Sequence, residues 1–161
     1  MDVEVRSLFH PVIATSSLEA ALAFYRDLLG LRVTFDDYHD PVALHGLFGY
    51  HDPVVHAAVV SFPDDSEIEL VEFERPRGTP VRRKAGDPGV MAVNMLVTGL
   101  DELVERLTAA GFPPASGIVP QTLPDGGQIR VVVCRAPDDV MIILVELPPG
   151  RTSLAAPPAA S

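Results

Sequence analysis

The sequence predicts an α+β protein built from two β-α-β-β-β modules, and three observations predict it. First, the segment Pro63-Asp64-Asp65-Ser66-Glu67-Ile68-Glu69-Leu70-Val71-Glu72 recurs as Pro137-Asp138-Asp139-Val140-Met141-Ile142-Ile143-Leu144-Val145-Glu146, at an offset of 74 with seven of ten positions identical. Second, the order of strand and helix signals runs once through the chain and then restarts. Third, a stretch rich in Pro, Gly and Arg separates the two passes. This gives a first module at 1–74, a linker at 75–88, a second module at 89–147 and a Pro/Ala/Ser-rich tail at 148–161, read as disordered.

The elements follow in order. Residues 7–14 read as a strand, with Ser16 or Ser17 as N-cap of a helix over 18–29. Apolar residues at helical spacing support that helix, and Gly30 supplies its C′ stop. Residues 31–35 form a second strand. Residues 36–53 are irregular and rich in Asp and His, with a short helix near 42–47. Residues 54–62 and 67–73 make a hairpin around Pro-Asp-Asp-Ser. In the second pass, 90–97 is a strand and 100–110 a helix closed by Gly111. Residues 113–124 hold a short strand, and 128–135 with 140–146 make the last hairpin. Leu18 corresponds to Leu100 at an offset of 82, against 74 for the hairpins, so the first module carries about eight extra residues where His39, His45 and His51 lie.

Composition limits the function classes. The chain has 161 residues, 47% of them hydrophobic, which is ample for a packed interior. No apolar run reaches the length of a membrane span, and the start of the chain lacks the basic-then-apolar layout of a signal peptide. A single cysteine, Cys134, excludes an internal disulfide framework and suits a cytoplasmic location. A net charge of −10 disfavours nucleic acid, whose phosphates it would repel. No basic group other than Arg135 stands near Cys134, and the Arg135 side chain alternates away, so a catalytic thiol is not expected.

Several features resemble the vicinal oxygen chelate superfamily, which includes glyoxalase I, methylmalonyl-CoA epimerase, extradiol dioxygenases, fosfomycin-resistance enzymes and bleomycin-binding proteins. They are His10 eight residues before Leu18, Ala-Phe-Tyr-Arg-Asp-Leu-Leu-Gly-Leu at 23–31, Ile-Glu-Leu-Val-Glu at 68–72, Gly-Leu-Asp-Glu-Leu at 99–103 and Ala-Pro-Asp-Asp with Leu-Val-Glu within 136–146. The resemblance implies a cupped mixed sheet with helices outside, the glyoxalase-like fold. It also implies metal ligands on the first and last strands of each module. His10 and Glu69 match that pattern in the first module. In the second, the corresponding positions are Ala92 and Ile143, neither of which binds a metal.

Strand alternation extends the candidate site. If Phe62 pairs with Glu67, Val60 faces Glu69, and Ala58 and His56 share that face. Adding 74 gives Arg130 for His56 and Cys134 for Val60. The same logic makes Ala92, Asn94, Leu96, Met141, Ile143 and Val145 one largely apolar wall. His10, Glu69 and His56 are therefore the candidate catalytic residues. Asn94, Ala92, Leu96, Met141, Ile143, Val145 and Arg130 are the candidate substrate contacts. Glu72 and Glu146 recur on the opposite strand face and read as structural. The reading is an enzyme without cofactor, an acid/base isomerase, cyclase or lyase for a hydrophobic, carbonyl-containing, natural-product-like molecule. Its alternatives are a drug- or metabolite-sequestering protein and a metal-dependent epimerase or lyase using a divalent metal at His10 and Glu69. The expected partners are a small molecule and a second copy in a homodimer, not nucleic acid or membrane.

Overall fold

A computed structural model describes residues 4–82 and 84–154. The chain divides into two compact units, Met1–Val81 and Arg82–Ser161, with the boundary inside the stretch read as linker. Each unit carries one four-stranded mixed sheet.

In the first unit the elements are β1 (Val12–Thr15), α1 (Leu18–Leu22), β2 (Arg32–Tyr38), α2 (Pro41–Phe48), β3 (Val54–Ser61) and β4 (Glu67–Arg75). The sheet order is β1-β4-β3-β2, with β1 parallel to β4 and the other pairs antiparallel. Ser17 caps α1 by accepting the Ala20 N–H. Beyond Leu22 the helix widens into a π-helical segment, Ala23–Leu28, in which the Leu29 N–H reaches back to the Phe24 carbonyl. Leu18, Ala21, Leu22, Phe24 and Tyr25 are buried, as are Ala58, Val60, Ile68 and Leu70 on one face of β3 and β4. The second unit repeats this plan with β5 (Ala92–Leu96), α3 (Leu100–Ala109), β6 (Val119–Thr122), β7 (Gln128–Arg135) and β8 (Met141–Glu146), in the order β5-β8-β7-β6. Here Leu100, Leu103 and Leu107 are buried with Val132, Cys134, Ile142 and Leu144.

The expected hairpin register is off by one residue in both units, for the same reason. The expectation placed four residues between paired Phe62 and Glu67. Instead Phe62 donates its N–H to the Ser66 carbonyl, which closes a three-residue loop with Asp65 in the left-handed region at φ 62°. Asp tolerates that conformation better than most residues, and a three-residue loop with an αL residue is a standard hairpin closure. Ser61 therefore pairs with Glu67 and Val59 with Glu69. In the second unit the Ala136 N–H bonds to the Val140 carbonyl, and Asp139, the counterpart of Asp65, has φ 64°. Val133, not Cys134, then lies opposite Ile143. A shift of one residue moves a side chain to the other face.

The first unit also has a helix on its second face. Asp40 caps α2 through the Val42 N–H, Pro41 occupies its first turn, and Gly49 at φ 71° ends it. Leu44 of α2 packs with Val55, Ala57, Val71 and Phe73, covering part of the face opposite α1. Within the stretch read as a disordered tail, Pro148 accepts the Arg151 N–H, and the Arg151 guanidinium bonds to Asp125 and to the Ser153 and Leu154 carbonyls. The remainder of that stretch, 155–161, lies outside the described residues, as does Arg83 of the linker.

Candidate functional site

The site is built on the first sheet's face opposite α1. By register, Val12, Glu69, Val59 and Phe35 lie side by side across β1, β4, β3 and β2 on that face. His10, two residues before Val12, reaches the same row. Its Nε2 lies 3.5 Å from Glu69 Oε2, and its Nδ1 lies 3.9 Å from Glu67 Oε2. Both side chains of the His10–Glu69 pair are largely buried, at 14% and 13% exposure. His10 Nδ1 is buried with no hydrogen-bond partner, although a buried polar atom normally has one. Thr34 Oγ1 donates to Glu67 Oε1 at 3.3 Å.

His39 completes the row. Its Nε2 donates to Glu69 Oε1 at 2.8 Å, so the carboxylate lies between two imidazoles. Three contacts hold His39 in place. Its backbone N–H bonds to the Val55 carbonyl, its ring stacks on Phe35 at 6.1 Å and 22°, and the next residue is the cap of α2. Residues 36–53 carry no regular apolar pattern that marks His39. The signal that would have found it was strand parity, because Phe35, Asp37 and His39 alternate onto one face and β2 runs to Tyr38.

His56 does not join this group. It pairs with Glu72 and faces the α1 side of the sheet. There its Nε2 bonds to Asp36 Oδ1 at 2.8 Å, and its ring stacks on Tyr38 at 4.5 Å and 10°. Tyr38 in turn donates to Glu74, which raises its phenol pKa. Glu72 on the same face accepts the Leu18 N–H at 2.8 Å, a structural cap for α1. The other two histidines of the irregular segment stay apart from Glu69: His45 Nδ1 bonds to the Tyr50 carbonyl, and His51 is exposed.

The second sheet brings together six of its seven expected contacts. Ala92 and Met141, Asn94 and Ile143, and Leu96 and Val145 are side-by-side pairs on one face. Arg130 falls on the other face. It donates to Glu146 Oε2 at 2.7 Å and to Asp101 Oδ1 at 2.6 Å, and this hydrogen bond holds the Asp101 carboxyl below its usual range. Glu146 also accepts the Leu100 N–H at 3.0 Å and so caps α3. Cys134 is buried, and burial pushes its thiol up to about 11, far from a reactive thiolate at neutral pH.

The donor set lacks two of the ligands that the superfamily's metal-dependent members carry. Ala92 and Ile143 offer no donor atom at two of the four stations. Where His39 adds an imidazole, it is bonded to Oε1 while His10 approaches Oε2. Among the described residues no group of three His, Cys, Asp or Glu is placed to hold a metal ion. What the row offers is a carboxylate hydrogen-bonded to one imidazole and facing a second across 3.5 Å.

Similarity to known proteins agrees with the fold. A glyoxalase family protein from Bacillus cereus is 24% identical, with a TM-score of 0.77 over 90% of this chain and 96% of that one. A glyoxylase/bleomycin resistance protein/dioxygenase domain from Frankia is 20% identical, with a TM-score of 0.63 over 92% and 96%. A fosfomycin resistance protein from Listeria monocytogenes, solved with Mn(II) and sulfate, is 13% identical, with a TM-score of 0.60 over 91% and 96%. No curated protein matches the chain. Among the described residues no helix is long and apolar enough to cross a membrane. The sequence profile of the Glyoxalase/Bleomycin resistance protein/Dioxygenase superfamily matches residues 9–146, and the chain belongs to that superfamily.

Proposed function

We propose that the protein is a metal-independent acid/base enzyme, an isomerase, cyclase or lyase acting on a hydrophobic, carbonyl-containing small molecule. The observation that carries this reading is the His10–Glu69 pair at 3.5 Å, largely buried on a sheet face whose neighbours are Val12, Val59 and Phe35. Val12 and Phe35 are half-exposed, which gives an apolar molecule somewhere to rest beside the polar pair. In the proposed step the C–H bond next to the carbonyl breaks and its proton passes to Glu69 Oε2. The electron pair moves into an enolate. The His10 imidazole relays that proton from Glu69 to the enolate oxygen or to a neighbouring carbon, so both side chains end as they began and an isomer forms with no redox partner.

Phenylacetone in D2O is a suitable probe, since exchange of its α-hydrogens reports the first step by proton NMR. Wild type should accelerate exchange, and Glu69→Gln should lower the rate roughly a hundredfold or more. Binding without exchange in either protein would leave the sequestering reading. The apolar residues Ala92 and Ile143 favour that reading, because the second unit has no proton-transfer group at the stations of His10 and Glu69. A homodimer belongs to the same proposal, and sedimentation velocity tests it.

A further inference from the structure

We infer that His39 is the positioning residue of this site and that it gives the two oxygens of Glu69 different jobs. The inference rests on the proton-transfer reading above and goes beyond it, because neither the repeat nor the superfamily pattern points to His39. A free carboxylate has two equivalent oxygens and rotates. Here Oε1 is taken by His39 Nε2 at 2.8 Å, whereas Oε2 faces His10 across 3.5 Å without a hydrogen bond of ordinary length. Oε2 is therefore the oxygen left to accept a substrate proton. His39 itself is held by its backbone bond to Val55, its stack on Phe35 and the capped start of α2, so the hold on Oε1 is preorganised. The carboxylate accepts, so His39 must carry its proton on Nε2.

The experiment has two arms. A long-range 1H–15N spectrum of uniformly labelled protein at neutral pH reads the imidazole tautomers. His39 should show the single Nε2–H form. In the second arm, His39→Leu should lower kcat for phenylacetone exchange about tenfold with KM within about twofold. His39→Gln, whose amide NH2 can donate from nearly the same point, should keep most of the rate. A merely structural role would not be rescued by glutamine. An averaged tautomer at His39, or full exchange by the leucine variant, overturns the inference while leaving the His10–Glu69 reading in place. Absence of exchange by wild type overturns both, even where the spectrum shows the contact.

Discussion

The two units share a frame and differ on one face. On the helix side the repeat is close: Leu70 and Leu144 are both fully buried, and Glu72 and Glu146 each accept the first N–H of their unit's long helix. Opposite Glu146 stands Arg130, and opposite Glu72 stands His56, so even the residue across from the cap keeps its station. On the other face Val59 and Val71 keep their counterparts Val133 and Val145, but the polar positions diverge. Glu69 with two imidazoles in one unit answers to Ile143 beside Asn94 and Val133 in the other. Packing constrains one side of each sheet, because helix and strand must bury the same surface. The other side is covered by α2 only in part, over Val55, Ala57, Val71 and Phe73, and the polar row of His10, His39 and Glu69 lies beside that cover.

The largest expected effect tests the shared side. Leu70→Ala and Leu144→Ala each remove a side chain with no solvent exposure. Each should cost about 2–5 kcal/mol, the usual range for such a cavity. Urea denaturation of the two variants should show similar losses; a loss at one position alone would mean that the two cores are not equivalent.

The next effect separates the units. α1 is capped twice, by Ser17 on the Ala20 N–H and by Glu72 on the Leu18 N–H. α3 begins at Gly99, which offers no side chain, so Glu146 is its side-chain cap and is also the partner of Arg130. Glu146→Ala should therefore cost about 2 kcal/mol, and Glu72→Ala about 1 kcal/mol. Thermal unfolding of both variants checks the order, and a larger loss for Glu72→Ala would sink the argument.

Much of this was legible in the chain because it depends on local periodicity. The repeat, a serine cap at 16 or 17, the glycine stops and the asymmetry of Glu69 and Ile143 all follow from residue type and spacing. The hairpin register was not legible, because it turns on whether Asp65 and Asp139 adopt positive φ. Aspartate permits that conformation but does not require it. From that one ambiguity came the misplacement of both His56 and Arg130. His39 was missed for a different reason: β2 runs past its apolar residues through exposed Asp36, Asp37 and Tyr38, so hydrophobicity gives no sign of the strand that carries it.

The smallest effect is the most discriminating, because it contrasts two histidines that the sequence alone had assigned to one site. His56 lies on the α1 side of its sheet, stacked on Tyr38 and bonded to Asp36, with its side chain 30% exposed and that of Asp36 49% exposed. An exposed pair of this kind contributes little, and a cross-strand stack adds a fraction of a kcal/mol. His56→Ala should thus shift stability by about 0.5 kcal/mol and leave phenylacetone exchange at the wild-type rate. His10→Ala, by contrast, removes the group facing Glu69 Oε2 and should lose most of that exchange. Equal loss of activity in the two variants would put His56 back on the face of Glu69. It would also mean that the three-residue loop at Asp65 does not set the register of its hairpin.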